Sequence, residues 1–327
     1  MVNPWIFVVV ILSFAVTFFS TKFWITRAKK AGLVGYDVHK KNKPTVAEMG
    51  GIPVLLGFLI GLLGYVAIRT FSFREPEVNL QLMAALATVL LAGLLGLVDD
   101  ILGWKIGLKQ WQKPLLMIIA TLPIIVVNAG VHALAIPLIG TVDFGLLYPL
   151  LIVPIIIVVT ANGFNMLAGY NGLEAGQGII LLTTLGLLAF TQVPWVTVLA
   201  GIMVASLLAF LWYNKFPAKI FPGNGFTHAV GALIGVVAIL GNNEKALVIL
   251  FIPYALEFFL KLRGKFQKES FAKVLPDGTL TNRYKKWYGL EHSVIASTRA
   301  LGIAREQFVV LVLWLVQIIF ATIAILL

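Results

Sequence analysis

The stretch GLLGLVDDILG, residues 93–103, places two adjacent carboxylates, Asp99 and Asp100, directly after an uncharged run from Val78 to Val98. About 20 apolar residues suffice for a helix to cross a bilayer. Charges at bilayer depth cost about 2.5–3.5 kcal/mol each on insertion scales, and two neighbouring carboxylates also repel each other. The pair therefore indicates a compensating partner near the membrane surface, for which a divalent cation, Lys105 or Lys109 are candidates.

The chain as a whole has the composition of a polytopic membrane protein. Of its 327 residues, 60% are hydrophobic and only 12% are charged, whereas soluble domains carry about 25% charged residues. Transmembrane β-strands would alternate over segments of about ten residues, and the longer uncharged runs here favour helices instead. The chain has no cysteine, which excludes disulfides and thiol redox chemistry.

Uncharged stretches, with one weaker span that contains Glu257, predict an all-α fold of about ten transmembrane helices. One of the stretches, 175–214, is long enough for two helices. The predicted spans cover residues 1–21, 49–68, 78–98, 114–142, 144–173, 175–214, 220–243, 246–260 and 307–327.

The positive charges predict the orientation of these helices. Of the 25 Lys and Arg, only Arg69, Arg74 and Lys245 fall in the loops of one side. The positive-inside rule makes the other side cytoplasmic and places both termini outside. Topology and anionic lipid account for the net charge of +11, so no nucleic-acid partner is expected. The cytoplasmic loops are predicted near residues 27–50, 99–113, 162–175, 214–226 and 262–305.

Polar residues suited to chemistry fall in the same set of loops. Residues 161–178 read ANGFNMLAGYNGLEAGQG, in which Asn162 and Asn165 share a helix face and glycines permit close backbone approach. Asparagine suits a nucleobase edge or a metal-bound phosphate, and Mg²⁺ often binds through one or two carboxylates and substrate phosphates. Such a site on one membrane face favours an enzyme with a cytoplasmic substrate over a transporter, which more often places polar groups near the midplane.

Three sequence blocks carry a family resemblance: GLVDDILGWKIGLK, NGFNMLAGYNGLEAG and FPGNGFTHAVGA. They resemble the signature blocks of the polyprenyl-phosphate N-acetylhexosamine-1-phosphate transferases, nearest to the eukaryotic and archaeal dolichyl-phosphate GlcNAc-phosphotransferases. Their order and spacing fit nearly the whole chain, including DVHKKNKPTVAEMGG at 37–51. The resemblance implies a single transmembrane catalytic domain over residues 1–327.

The implied reaction transfers GlcNAc-1-phosphate from UDP-GlcNAc to a polyprenyl phosphate and releases UMP, the first membrane step of lipid-linked oligosaccharide assembly for protein N-glycosylation. We expect direct attack by the lipid phosphate, which Asp99 and Asp100 would position or deprotonate, with Lys109 nearby. A covalent aspartyl-phosphate route is the alternative. The resemblance implies Mg²⁺, with Mn²⁺ as an alternative, held by Asp99, Asn165 and Asn224. The implied substrate-binding residues are Asn162, Gly169, Asn171, Phe221, Lys41, Glu48, Arg263 and Lys268.

The chain departs from the family pattern at two places. Asn224 stands where the family usually has an aspartate that ligands the metal, and the loss of one negative charge should weaken metal binding. An engineered inactivating substitution, a natural variant with altered metal use and an inactive homologue all remain open. The last cytoplasmic loop, KLRGKFQKESFAKVLPDGTL, keeps positive charge without aligning to the histidine-arginine cluster of dolichyl-type enzymes.

Two rival functions remain at this stage, a transporter or flippase for lipid-linked sugars and a catalytically impaired homologue. The histidine-rich loop of the muramoyl-pentapeptide branch is absent, which argues against that substrate. The expected partners are UDP-GlcNAc, a polyprenyl or dolichyl phosphate and the membrane, with a homodimer left open. The expected location is multi-pass, with a cytoplasmic active site, in a prokaryotic plasma membrane rather than the endoplasmic reticulum.

Overall fold

The computed structural model describes residues 4–103, 107–136 and 140–327. Within these residues the chain forms a bundle of twelve α-helices with three short β-hairpins. The helices are α1 (Pro4–Lys30), α2 (Gly51–Ala67), α3 (Asn79–Leu102), α4 (Gln112–Val126), α5 (Val153–Met166), α6 (Leu173–Ala189), α7 (Pro194–Asn214), α8 (Asn224–Leu240), α9 (Glu244–Leu250), α10 (Ile252–Arg263), α11 (Leu290–Ala300) and α12 (Glu306–Leu326). Two π-helical turns, Ile68–Phe73 and Tyr148–Ile152, extend α2 and precede α5.

The helix lengths and their exposed apolar faces are those of a polytopic membrane protein. In the described residues, six helical segments are long and apolar enough to cross a bilayer: α1, α2 with the π-helical turn after it, α3, α5 with the π-helical turn before it, α7 and α12. Three more, α4, α6 and α8, are apolar but shorter. On α4, Leu115, Ile118, Ile119 and Leu122 form an exposed apolar stripe at helical spacing, which suits contact with lipid. The total of ten spans stays a prediction.

The uncharged stretch 114–142 is not a single long helix. Helix α4 ends at Val126, and the chain then turns through Asn128 and Gly130, both at positive φ. Strands β3 (Ala133–Ile136) and β4 (Gly140–Asp143) follow as an antiparallel hairpin. Charge alone could not predict this break, because residues 114–142 contain no Asp, Glu, Lys or Arg on either side of it.

Two further hairpins qualify the all-α prediction. Strand β1 (Val34–Tyr36) pairs with β2 (Thr45–Ala47), and β5 (Lys273–Val274) pairs with β6 (Leu280–Thr281). The predicted loop 262–305 also contains α11, and the weak span 246–260 divides into α9 and α10 at Phe251.

Helix ends gather at one end of the bundle, where they surround a cavity. Helices α3, α5, α7 and α10 contribute their C-terminal ends, whereas α6 and α8 contribute their N-terminal ends. The respective lining residues are Asp100, Asn165, Asn214, Lys261, Glu174 and Asn224.

Two backbone features fix the geometry of this end. Gly96 lets α3 approach α8 closely, since a Cβ at this position would lie 2.3 Å from the carbonyl oxygen of Asn224. The segment 47–51 binds the segment 220–222 through backbone hydrogen bonds, including Phe221 N–H to Ala47 O at 2.7 Å and Gly50 N–H to Phe221 O at 2.9 Å. We call this pairing the backbone clamp.

Candidate active site

Asp100 binds the first turn of α8. One carboxylate oxygen accepts the N–H of Asn224 at 2.8 Å and the other accepts the N–H of Gly225 at 3.0 Å. The first N–H groups of a helix have no partner within the helix, and the positive end of the helix dipole favours a carboxylate there. Asp100 therefore caps α8 and holds it against α3.

Asp99 is buried and has a different set of partners. Its Oδ2 lies 2.7 Å from Lys113 Nζ and accepts the side-chain N–H of Asn224 at 2.9 Å, while Oδ1 accepts the Leu108 N–H at 3.2 Å. The lysine that neutralises Asp99 is thus Lys113. Lys109 is exposed, and its backbone N–H binds Gln112. Lys105 lies outside the described residues.

Asn165 joins the same first turn of α8 from α5. Its Oδ1 accepts a hydrogen bond from Thr227 Oγ1 at 2.7 Å, and Thr227 lies three residues after Asn224. The sequence-predicted metal ligands Asp99, Asn165 and Asn224 therefore converge on one helix start. All three offer oxygen atoms, the ligand type that Mg²⁺ prefers. The carboxylate of Asp99 supplies the only negative charge within this set.

The main cavity has a volume of about 640 Å³ and contains many of the predicted substrate-binding residues. Glu48, Gly169, Asn171 and Phe221 line it, together with Asp100, Asn165 and Asn224. Burial, and then the negative charge of Asp100, raise the pKa of Glu48 above its ordinary value. The cavity is therefore large enough for a nucleotide and has carboxylate and amide groups at one end.

The loop between α5 and α6 shapes the other end of the main cavity. Gly169 has φ +102°, and its N–H donates to Glu174 at 2.8 Å. A Cβ on Gly169 would lie 2.8 Å from the ring of Phe271. Asn171 donates its backbone N–H to Glu306 at 2.8 Å and its side-chain N–H to Asp37 at 3.0 Å.

A second cavity of about 300 Å³ adjoins the main one. The two share Asn165, Met166, Lys261 and Glu269 as lining residues. The second cavity is also lined by Lys113, Lys268 and Asn162. The amide N–H of Asn162 donates to Val158 O at 2.8 Å, which leaves its amide oxygen as the remaining acceptor. The lysines make this second cavity positively charged.

Lys261 at the junction of the two cavities is held by buried partners. Its Nζ lies 3.2 Å from Glu257, which is fully buried, and 2.6 Å from Ser270 Oγ. Burial, with the charge of Glu257 added, raises the pKa of the neighbouring Glu291 well above its usual range.

Three lysine and arginine predictions have different outcomes. Lys268 lines the second cavity and lies over the ring of Tyr284 at 5.3 Å. Lys41 and Arg263 are exposed and do not line either cavity within the described part of the chain. The structure therefore brings Lys268 to the site, and it leaves Lys41 and Arg263 at the surface.

The sequence reasoning missed several residues at the site. The spacing of Lys261 four residues after Glu257 predicts the ion pair that the structure shows, but it gives no sign of the cavity. Lys113 was missed, because it lies 14 residues from Asp99. A buried group of Asp37, His39 and Glu306 was missed as well, although its first two members lie in the early loop that carries the resemblance. The ring of His39 stacks on Tyr170 with centroids 4.2 Å apart.

Comparisons with known proteins show the family to which the chain belongs. The family model described as glycosyl transferase family 4 matches residues 82–242. A Saccharolobus solfataricus protein, provisionally named UDP-N-acetylglucosamine–dolichyl-phosphate N-acetylglucosaminephosphotransferase, is 39% identical over 97% of this chain and 95% of its own length.

Two more distant relatives are also named as transferases. A Dictyostelium discoideum protein with the same enzyme name is 30% identical over 72% of this chain and 66% of its own length. A phospho-N-acetylmuramoyl-pentapeptide-transferase of Streptococcus equi subsp. zooepidemicus is 29% identical over 93% of this chain and 98% of its own length. The chain therefore belongs to glycosyl transferase family 4, the group of polyprenyl-phosphate N-acetylhexosamine-1-phosphate transferases that its three sequence blocks resemble.

Proposed function

We propose that this chain transfers GlcNAc-1-phosphate from UDP-GlcNAc to a polyprenyl phosphate of the dolichyl type and releases UMP. The observation that carries the proposal is the convergence of Asp99, Asp100, Asn165 and Asn224 beside two adjoining cavities. The names and near full-length similarity of the relatives support the same reaction.

The main cavity is the proposed site of UDP-GlcNAc. Its base end would be formed by Gly169, Asn171 and Phe221, and its phosphate end by the first turn of α8. Asp100 already accepts the N–H groups of Asn224 and Gly225, so the charge of the pyrophosphate would be offset there by a cation on the nearby oxygen ligands and not by the helix N-terminus.

The second cavity is the proposed site of the lipid phosphate. Lys113, Lys261 and Lys268 line it and would neutralise the acceptor. The exposed apolar stripe of α4 begins at Leu115, next to Pro114 in the wall of the cavity, which gives a polyprenyl chain an apolar surface to follow.

Transfer then requires one bond to form and one to break. An oxygen of the lipid phosphate attacks the sugar-bearing phosphorus, and the bond from this phosphorus to the bridging oxygen breaks, so that UMP leaves with the electron pair. The second pKa of a phosphomonoester is about 6, so the acceptor is largely ionised at neutral pH and needs no strong base. Both oxygens of Asp100 already accept N–H bonds from α8, which supports direct attack over an aspartyl-phosphate intermediate.

Asp99, Asn165 and Asn224 fit a divalent cation as an oxygen ligand set. Bound Mg²⁺ would neutralise charge on the pyrophosphate. Two contacts within the protein fix the geometry of this ligand set. Asp100 holds the start of α8 in place, and Lys113 offsets the negative charge of Asp99.

The proposal includes a topology of ten spans with both termini outside and the cavities at the cytoplasmic face of a prokaryotic plasma membrane. The distribution of Lys and Arg supports it. The chain has no cysteine, so single cysteines can report sidedness. In right-side-out vesicles, an impermeant maleimide should label Arg74→Cys and spare Lys286→Cys, and the reverse pattern would contradict the orientation.

The activity is tested with purified protein, UDP-GlcNAc, Mg²⁺ and a short polyprenyl phosphate. UMP release that requires the lipid supports transfer, with the lipid-linked pyrophosphoryl sugar identified by mass spectrometry. Movement of a lipid-linked sugar across liposomes without UMP release would support the flippase instead. If the chain is inactive and Asn224→Asp is active, the fold is competent and the natural chain is impaired.

A further inference from the structure

A buried ionic cluster closes the base end of the main cavity. The Asp37 cluster consists of Asp37, Lys40, Asn171 and Glu306. Lys40 Nζ lies 3.2 Å from Asp37 and also binds Glu306, while Asn171 contacts both carboxylates. The cluster joins three segments that are distant in sequence: the early loop, the loop after α5 and the start of α12.

The cluster determines which way the side-chain amide of Asn171 faces. The side-chain N–H of Asn171 donates to a carboxylate oxygen of Asp37 at 3.0 Å, so the amide presents its nitrogen to Asp37. The amide oxygen of Asn171 has no hydrogen-bond partner among the described residues, and Asn171 lines the main cavity.

The backbone donors of the same loop are already occupied. The N–H of Gly169 binds Glu174 and the N–H of Asn171 binds Glu306. The side chain of Asn171 therefore has a free acceptor at the cavity lining, and one of its two amide N–H groups is occupied by Asp37.

Uracil has one donor on its base-pairing edge, N3–H, between two acceptors. An acceptor that binds this edge can pair with uracil only at N3–H. Cytosine in the same pose presents an unprotonated N3, whose lone pair would face the amide oxygen, and such a mismatch leaves both groups unsatisfied.

We propose that Asp37 is a positioning residue that selects uridine over cytidine nucleotides, because it holds the amide oxygen of Asn171 toward N3 of the base. This inference rests on the proposed function and names the group that sets its nucleotide specificity. Asp37 also lines the main cavity, and in this proposal it acts on the base through Asn171.

The test is equilibrium binding of UDP, CDP and N3-methyl-UDP to the full-length protein in detergent. Wild type should bind UDP at least tenfold more tightly than either analogue. In Asp37→Asn, the new amide can hydrogen-bond to either the nitrogen or the oxygen of the Asn171 amide. Asn171 can then present either group to the base, so the ratio of UDP to CDP affinity should fall by about tenfold.

A compensating exchange separates orientation from general damage. The double variant Asp37→Asn with Asn171→Asp restores one carboxylate and one amide in reversed places, and the carboxylate introduced by the second change again offers the cavity an acceptor. Its affinity ratio should return toward that of wild type. The control is Glu306→Gln, which perturbs the same cluster and keeps Asp37, so its ratio should not change even if both affinities fall.

The outcomes distinguish this inference from the proposed function. A folded Asp37→Asn with the wild-type ratio, or a folded double variant that stays unselective, would overturn the role of Asp37. Equal binding of UDP and CDP by wild type would overturn both proposals. Selective UDP binding without any transfer to lipid would overturn the proposed function alone.

Discussion

The side-chain amide of Asn224 donates a hydrogen bond of 2.9 Å to the carboxylate of Asp99. The family usually has an aspartate at this position, and two carboxylates at this distance would repel each other unless a cation lay between them. The amide thus makes the ligand set stable without a metal, and it gives up one of the negative charges that would attract the metal.

We therefore predict that Asn224→Asp makes both stability and activity more dependent on Mg²⁺. The variant should unfold at a lower temperature than wild type in EDTA, and Mg²⁺ should raise its Tm more than that of wild type. Its Mg²⁺-dependent UMP release should also be higher. Asn282→Asp is the matched control, because that amide donates to the backbone carbonyl of His292 and the residue lines neither cavity. Equal turnover and equal Tm shifts in Asn224→Asp and wild type would contradict the prediction.

Lys113→Met tests which lysine serves the acidic pair. The change leaves the buried Asp99 without its cation and removes a charge from the second cavity. Truncating one partner of a buried, hydrogen-bonded charge pair costs about 2–5 kcal/mol, so we expect kcat/KM to fall by about 100-fold or more.

Substitutions of two other lysines serve as controls for this prediction. Lys285→Met removes an exposed charge that lines neither cavity and should change little. Lys109→Met tests the sequence-based role of Lys109 directly. A larger loss in Lys109→Met than in Lys113→Met would favour the sequence-based assignment over the structural one.

Gly169→Ala should abolish nucleotide binding, because the added methyl group would collide with a residue that lines the main cavity. The residue has φ +102°, so any side chain there is strained by about 1–2 kcal/mol, and its Cβ would collide with Phe271 at 2.8 Å. Gly140→Ala is a close control, since Gly140 has φ +99° with open space around it. Both variants should lose Tm, but only Gly169→Ala should lose UDP affinity, and similar affinities in the two would argue against a substrate role for this loop.

We predict that the difference in stability between Glu48→Gln and wild type depends on pH. Its pKa is raised by burial and by Asp100, so the fold disfavours its ionised form. This penalty appears as the pH rises through the interval between the unfolded and folded pKa values and is absent in acid, below the unfolded value of about 4.3. Glu48→Gln should thus have a higher Tm than wild type at pH 7, with the difference vanishing in acid.

The exposed Glu77 provides the control for this measurement, because Glu77→Gln should not alter the pH profile. A Glu48→Gln variant that melts below wild type at neutral pH would show that ionised Glu48 stabilises the fold, against the prediction. Activity is measured in parallel, since Glu48 lines the main cavity.

The helical class of the fold and part of the candidate site were readable from the sequence because both depend on local signals, whereas Lys41, Lys109 and Arg263 are exposed and line neither cavity. Uncharged runs predict helices, and Asp99, Asn165 and Asn224 fall at helix ends that must share a membrane face. The hairpin of β3 and β4 was not readable, since it lies in a stretch with no charge until Asp143.

Contacts between segments that are distant in the chain also could not be predicted from the sequence. The pairing of Lys113 with Asp99 depends on how the chain turns between α3 and α4, and that of Lys40 with Glu306 joins the two ends of the chain. The lone acid at the start of α12 gives no sign of this pairing in the sequence, because a carboxylate suits any helix N-terminus.

The backbone clamp and the Asp37 cluster have a consequence for biosynthesis. Phe221 must emerge from the ribosome before residues 47–51 find their hydrogen-bond partners, and Glu306 must follow before Lys40 and Asn171 find theirs. The early loop is therefore synthesised long before its last partner. The cavity that we propose for the nucleotide can be completed only after the start of α12 has been made.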